Sequence, residues 1–482
     1  MSRATQPASW QPAGSDPGAA IPATEHPAKR LSWAAMTRGA LVTQLEHHRG
    51  WHKQLAGNDI AYFRSGTRKF VFLAHPNYID HVLHEGRLNY HKSVDNEPLR
   101  AMAGVSLLTD EGQSWGWHRA VINPGLVKRR LNGLVELMTG PITDLASEID
   151  RNVDGATDLD MTDAMVKLAL DITGKVVFSS KFEPITRALF DMVVNNPVGD
   201  RVTRILSLAE MPIWFFRAVI WLVKSALPLP WPFRTIQARV RSLDRTPWDL
   251  IRERRANPTD SPDLLNYLLY AEDESGSRLS DQRVHDESLT FVVAGYETTG
   301  NGLQWMWYLL ALHPQAREQL LTEVDSVLDG RIPTAADLPQ LRWTTACFME
   351  ALRYYGPSWV MWRRAVEPDN IGGHRIRKGT TVLLAAHAAH HDPRWWDDPE
   401  TFDPSRFLRA ATKDRPRSAF IPFGAGKRIC VGQNLALMEA VLTTAVLSQR
   451  FVFDIKPGHP VEPVTAMALR PRHRLKMVVR RR

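Results

Sequence analysis

Cysteine is the scarcest reactive residue in this chain, with Cys347 and Cys430 the only two among 482 residues. Two thiols cannot build a disulfide framework. That excludes a disulfide-stapled secreted scaffold and points to a reducing, cytoplasmic setting in which each cysteine is either core filler or chemistry. Long apolar runs are lacking too. The nearest approach, MPIWFFRAVIWLVKSALPLP from Met211 to Pro230, contains Arg217 and Lys224 and is broken by prolines, whereas a spanning helix needs about 20 clean apolar residues. No transmembrane segment is expected. The run reads as a buried helix plus loop, with peripheral contact with a lipid surface or a role in substrate access left open. Residues 1–30, rich in Pro, Ala, Ser and Gly, have no apolar core of about 7–15 residues behind a basic start and read as a disordered leader.

Acidic residues are absent from the last thirteen positions, where Arg470, Arg472, Arg474, Lys476, Arg480, Arg481 and Arg482 supply seven positive charges. The formal net charge is +8, so the rest of the chain is close to neutral. The basic balance belongs to a tail, and no nucleic-acid surface is expected.

What is present is the composition of a globular protein, 44% hydrophobic and 23% charged. Length alone suggests about three domains. With no internal repeat and no linker after residue 30, a single domain over residues 31–482 fits better. The stretch SDQRVHDESLTFVVAGYETTGNGLQWMWYLLALH predicts one long helix, capped by Ser280 or Asp281 and stopped by Pro314. At 1.5 Å per residue it spans about 50 Å and must cross the whole domain. Gly295, Gly300 and Gly302 weaken its middle by about 1 kcal/mol each against alanine, which calls for close approach of a neighbour or a local opening of the hydrogen-bond ladder. Further helices are predicted in PQAREQLLTEVDSVLDG, from Trp343, and after Gly432. AYFRSGTRKFVFLA, NIGGHRIRKGTTVLLAA and RLKMVV read as strands of small sheets.

Chemistry concentrates in FGAGKRICVG, Phe423 to Gly432. A cysteine at the start of a helix meets backbone N–H groups and the positive end of the dipole, which favour thiolate over thiol. Lys427 and Arg428 add positive charge, and Gly424, Gly426 and Gly432 permit tight turns against something flat and large. The pattern F-G-x-G-x-R-x-C-x-G resembles the haem-binding loop of the cytochrome P450 family. Six such positions recur by chance with a probability on the order of 10⁻⁵ in a chain this long. The resemblance extends from about Trp115 to the C-terminus and implies the family's triangular-prism fold, mainly α with small β-sheets and a long central helix over haem b.

Carried onto this chain, the resemblance makes Cys430 the axial thiolate and iron ligand, with Phe423, Gly424, Gly432 and Ala294 against the cofactor. Trp115 and Arg119 in WGWHR stand at i and i+4, able to donate to an anion. The resemblance implies that this is a haem propionate, with Arg428 a second partner and Arg364 a third, for which Arg363 is the competing choice. Glu350 and Arg353 in EALR lie at i and i+3, and FDPSRF contributes Arg406, matching a structural Glu-Arg-Arg network. AGYETT resembles an oxygen-activation motif: Thr298 back-bonds to a carbonyl one turn earlier, Glu297 feeds protons, and Gly295 leaves room. The pocket wall is expected from Met102, Leu107, Leu108, Phe291, Gly295, Trp359, Val360 and Met361. Cys347 reads as a packed hydrophobe, and the histidines show no zinc spacing.

The implied enzyme is a haem-thiolate monooxygenase, an oxidoreductase taking O2 and two electrons from a separate ferredoxin and ferredoxin reductase. Lys427 and Arg428 suggest a basic docking face for such a carrier. The apolar wall argues for a hydrophobic small molecule, a terpenoid-type secondary metabolite ahead of a fatty-acyl compound. Peroxide-using or isomerising haem-thiolate chemistry and a non-catalytic haem binder are the alternatives.

Overall fold

The computed structural model describes residues 29–30, 58–65, 68–92, 100, 103–179, 218, 221–225, 227, 233–408, 415–465 and 468–482. Its principal helices, in chain order, are α1 (Pro76–Leu83), α2 (Gly112–Ile122), α3 (Val135–Asn152), α4 (Met161–Phe178), α5 (Phe233–Ala256), α6 (Leu264–Tyr270), α7 (Asp281–Leu312), α8 (Pro314–Leu328), α9 (Arg342–Tyr355) and α10 (Gln433–Ser448). The long helix α7 begins and ends where the sequence predicts. Ser280 caps it by accepting the Arg283 amide at 3.3 Å, and Pro314 opens α8 one residue beyond its C-cap, His313.

Of the two reasons expected for weak helix formers inside α7, close approach is the one the structure shows, since the helix runs unbroken through Gly295, Gly300 and Gly302. A Cβ on Gly300 would lie 2.9 Å from Val166 Cα of α4, and one on Gly302 would lie 3.1 Å from the Phe348 ring of α9. The glycines therefore permit close packing of the helices flanking α7, while Leu303, Trp305 and Met306 are fully buried beside them. Each such side chain contributes about 1.5–3 kcal/mol through burial.

Six strands form the larger sheet, in spatial order β1 (Lys29–Arg30), β2 (Ile60–Ser65), β3 (Arg68–Leu73), β9 (Thr381–Leu384), β6 (Met361–Ala365) and β4 (Tyr90–Lys92). β3 and β9 run parallel, with Phe70 opposite Thr381. β6 is antiparallel to β9 and to β4, and the β4 register sets Lys92 opposite Arg363 and His91 opposite Arg364. Directly paired residues share a face of a sheet, so Lys92 and Arg363 project together. β10 (Phe451–Ile455), β13 (Lys476–Arg481) and β5 (Thr157–Asp160) form a second sheet, and β7 (Asp369–Ile371) with β8 (His374–Ile376) and β11 (Pro463–Thr465) with β12 (Leu469–Pro471) form two hairpins.

The basic C-terminus is a correction to the sequence reading. It is not a tail but the middle strand of the second sheet, with its cations paired to acids of the body. Arg474 reaches Asp160 at 3.0 Å and Asp163 at 2.6 Å, Arg481 reaches Asp150 at 2.7 Å, and Arg482 reaches Asp325 at 2.6 Å. Such half-exposed pairs contribute about 0–1 kcal/mol each, so their effect is to pin β13 in register. Of the expected leader only Lys29 and Arg30 are described, pairing in parallel with Ala61 and Tyr62. Most of Met211–Pro230 lies outside the described residues. Among the described residues no helix is long and apolar enough to cross a membrane.

Candidate active site

The cysteine loop is held by its own backbone. The Gly424 N–H donates to Ile421 O at 3.0 Å, and the Cys430 N–H donates to Phe423 O at 2.9 Å. Gly424 and Gly426 take φ of 73° and 70°, and a Cβ on Gly426 would sit 2.3 Å from the Leu83 carbonyl oxygen. Only glycine fits there. Gly432 caps α10, and the N–H groups of Gly432 and Gln433 point at the Cys430 sulfur, with Arg119 within electrostatic range. These favour the anion as the sequence suggests. Burial nevertheless outweighs them and raises the thiol above its ordinary pKa, so the charged sulfur needs a bound cation to complete it. The thiol is at once exposed and hemmed in by protein, which places it in an interior cleft. Cys347 is fully buried in the core, its thiol pushed up by burial.

A second wall comes from α7. Phe291, Ala294 and Thr298 share one helical face; Ala294 and Thr298 are exposed although Tyr296, Glu297 and Thr299 around them are buried. The Thr298 hydroxyl donates to the Ala294 carbonyl at 2.7 Å. That bond competes with the helix ladder at this turn. Gly295 is turned away, a Cβ there lying 3.0 Å from Thr173 Oγ1 of α4. Its expected place in the pocket is replaced by a packing role between α7 and α4.

Cations gather beside the cysteine loop. Arg428 pairs with Glu111, donates to Asp110 O at 3.2 Å, and lies 4.1 Å over the Trp115 ring. The Lys92 N–H donates to Glu111 at 2.7 Å. Arg363, on the same face as Lys92, feels both Arg428 and Glu111. Burial first, then neighbouring positive charge, lowers Lys92 to about 7 and Arg363 to about 10. Burial also lowers Arg119, against the sulfur of Cys430. Arg363 therefore joins this cluster in place of the expected Arg364, which is exposed on the opposite face of β6. Arg428 is half-buried and engaged, so of the two suggested docking cations only Lys427 is exposed.

The Glu-Arg-Arg network is complete. Arg353 makes a bidentate pair with Glu350 at 2.7 and 2.8 Å, both side chains fully buried. Arg406 Nε lies 3.5 Å from Glu350, and the Asp403 N–H donates to the same carboxylate at 2.9 Å. Arg353 also donates to the His390 carbonyl at 2.9 Å, and His390 Nε2 accepts the Ile421 N–H at 2.9 Å. His390 thus links the network to the cysteine loop, a role the sequence did not single out. Burial and Arg353 lower it to about 3 from 6.5. Between those values the unfolded chain binds a proton that the native one refuses, so stability falls as pH drops. From pH 6.5 to about pH 4.5 this group removes about 2–3 kcal/mol. A His390→Gln variant, which keeps an acceptor for Ile421, is expected to show a flatter acid limb in denaturation midpoints; an unchanged limb would contradict the assignment.

Of the expected pocket residues, Met102 lies outside the described residues. Leu107, Phe291 and Phe423 pack on the main core. Leu108 and Trp359 are half-buried. Met361 Sδ approaches within 3.4 Å of a Cβ on Gly424, while Val360 packs with Trp362 on the Phe70 and Phe72 side of the larger sheet. Among the described residues no group of His, Cys, Asp and Glu forms a metal cluster.

An accessible cysteine at a helix start, a cationic rim and a long helix whose Thr298 hydroxyl back-bonds to Ala294 suit a haem-thiolate oxidoreductase. The chain belongs to the cytochrome P450 family, whose sequence profile, Cytochrome P450, matches residues 43–479. It is 47% identical over 457 residues to cytochrome P450 132 of Mycobacterium tuberculosis, covering 95% of this chain and 97% of that one. It is 30% identical to cyclooctat-9-en-7-ol 5-monooxygenase of Streptomyces melanosporofaciens, covering 92% and 94%, and 29% identical to pentalenene oxygenase of Streptomyces avermitilis, covering 97% and 98%. The crystal structure of the cytochrome P450DA heme domain superposes with a TM-score of 0.79 at 25% identity, covering 96% and 98%. The protein is a monooxygenase with haem b and an axial thiolate as its cofactor. The residues present fit that group, since several partly uncompensated cations suit its two carboxylates and the accessible thiol suits its iron.

Proposed function

We propose that the chain inserts one atom of O2 into a terpenoid-type hydrophobic substrate, with Cys430 as the residue whose sulfur would hold the haem iron and residues 31–482 as one catalytic domain. The observation carrying this reading is the accessible Ala294 and Thr298 face of α7, with the Thr298 hydroxyl bonded to the Ala294 carbonyl at 2.7 Å. Bound haem supplies the redox and oxygen chemistry. Trp115, Arg119, Arg428 and Arg363 would hold its carboxylates. Thr298 Oγ1 positions water and passes protons that Glu297 delivers. Leu107, Leu108, Phe291, Trp359 and Met361 bind substrate by apolar burial and exclude water.

Electrons come from a ferredoxin and its reductase in the cytoplasm, with exposed Lys427 beside the cysteine loop offering an acidic carrier a point of contact. Two relatives named for terpenoid substrates support the substrate class. The test is a spectral titration of purified haem-loaded protein with pentalenene and, separately, lauric acid. Pentalenene is expected to shift the ferric Soret band to shorter wavelength and to be oxygenated when ferredoxin, reductase and O2 are supplied. A shift with lauric acid alone overturns the substrate class. A pigment-loaded sample whose reduced carbon-monoxide complex lacks the red-shifted thiolate band overturns the Cys430 assignment.

A further inference from the structure

The turn carrying Leu107 and Leu108 is irregular backbone packed beneath α7, where every peptide group needs a partner. It closes on itself through Thr109, whose hydroxyl donates to Gly104 O at 2.7 Å and accepts the Ser106 N–H at 3.0 Å. Ser106 serves its later peptides, its carbonyl accepting the Thr109 and Asp110 N–H groups and its hydroxyl accepting the Leu108 N–H at 3.3 Å, while Val105 and Leu107 are met by ionisable side chains from outside the turn. Val105 is held at both ends by the first turns of α7: its N–H donates to Asp286 at 2.8 Å, and its carbonyl accepts Arg283 at 2.8 Å. Leu107 is treated alike. Its N–H donates to Glu287 at 2.8 Å, and its carbonyl accepts Lys92 Nζ at 2.8 Å, the same amine reaching the Leu108 carbonyl.

Gly104, at φ +77°, completes the fit, because a Cβ there would fall 2.2 Å from the Asp286 carboxyl. Asp286 is itself oriented by His285 at 3.0 Å and Gln282 at 2.8 Å, and His285 stacks on Trp248 of α5. Glu287 is fully buried. It stands on the helical face that continues through Phe291, Ala294 and Thr298, so the stripe lining the cleft begins at the residue that grips Leu107.

We propose that Glu287, with Arg283, Asp286 and Lys92, forms a clamp that sets the Leu107–Leu108 wall against α7 and so decides which carbon of the substrate meets the oxidant. Glu287 is a positioning residue, acting through the Leu107 peptide. Its bearing on selectivity rests on the reading above that Leu107 and Leu108 line the substrate site; the clamp itself does not.

The experiment has two readouts on the haem-loaded protein. Hydrogen exchange of peptides spanning residues 104–109 is expected to show the Leu107 amide exchanging at least about tenfold faster in Glu287→Ala than in the parent, with the reduced carbon-monoxide spectrum unchanged. Glu287→Gln, whose amide oxygen still accepts from Leu107, is expected to restore protection. With pentalenene, Glu287→Ala is expected to change the ratio of oxygenated products at least about threefold while Glu287→Gln keeps the parent ratio. Parent-like exchange in Glu287→Ala overturns the clamp, and a parent-like product ratio despite faster exchange overturns its role in selectivity. If the parent does not oxygenate pentalenene, the substrate reading fails while the exchange result still decides the clamp. Should Glu287→Ala not fold, Arg283→Met is read the same way, with faster exchange over 104–109 supporting the clamp and parent-like exchange overturning it.

Discussion

Replacing Arg353 with methionine is expected to lower the unfolding free energy by about 3–5 kcal/mol and to yield protein depleted of haem. Breaking a buried ion pair from one side leaves the other charge without compensation, and that cost falls in this range. Here the stranded group is the Glu350 carboxylate, with no exposed surface. Among the described residues it keeps the Asp403 N–H at 2.9 Å and Arg406 at 3.5 Å. The guanidinium also serves the carbonyls of His390 and Thr401 and lies 5.3 Å over the Trp396 ring, so three elements loosen together. The cysteine loop follows through the Ile421 N–H on His390. The double change Glu350→Leu with Arg353→Met removes both charges and is expected to be less destabilising than Arg353→Met alone. Denaturant midpoints and pigment content per chain measure this. An Arg353→Met protein within about 1 kcal/mol of the parent would show that the network carries little stability.

Thr298→Ala is expected to lower product formed per electron pair by about 10²-fold, the scale of a single proton-transfer role, while O2 consumption continues. The hydroxyl is the group at stake, since the variant loses the bond to the Ala294 carbonyl at 2.7 Å and with it the polar atom that α7 exposes to the cleft at this turn. Thr298→Ser keeps the hydroxyl and is expected to retain most of the coupling. Stability should barely change, because the side chain is exposed within the cleft. Product yield and peroxide release under excess substrate measure the outcome. Full coupling in Thr298→Ala would remove Thr298 from proton delivery.

The helical frame was legible because α7 obeys local rules: Ser280 caps it, Pro314 follows it, and the glycines lie where helices cross. The cysteine loop was legible for the same reason, since φ requirements and sulfur chemistry act over ten residues. Information carried by pairing across long chain separations was not legible. Nothing local to Arg363 and Arg364 tells which faces inward; the register of β4 against β6 decides it by setting Lys92 opposite Arg363. The roles of Lys92, Glu111 and His390 were not legible because each acts on backbone or charge supplied from elsewhere in the chain. The C-terminal cations looked like a tail because their acids, Asp150, Asp160 and Asp325, lie far upstream. Gly295 belongs with these, since its packing neighbour, Thr173 of α4, 3.0 Å from where a Cβ would stand, is supplied from far upstream.

The parallel pairing of β3 with β9 joins segments separated by about 300 residues of chain, a closure that costs entropy before any contact repays it. The strand partnership that sets Lys92 beside Arg363 hangs from that same sheet. Capture of the pigment is thereby tied to closure of that sheet, because the Lys92–Arg363 side of the binding rim exists only where β4 and β6 are paired.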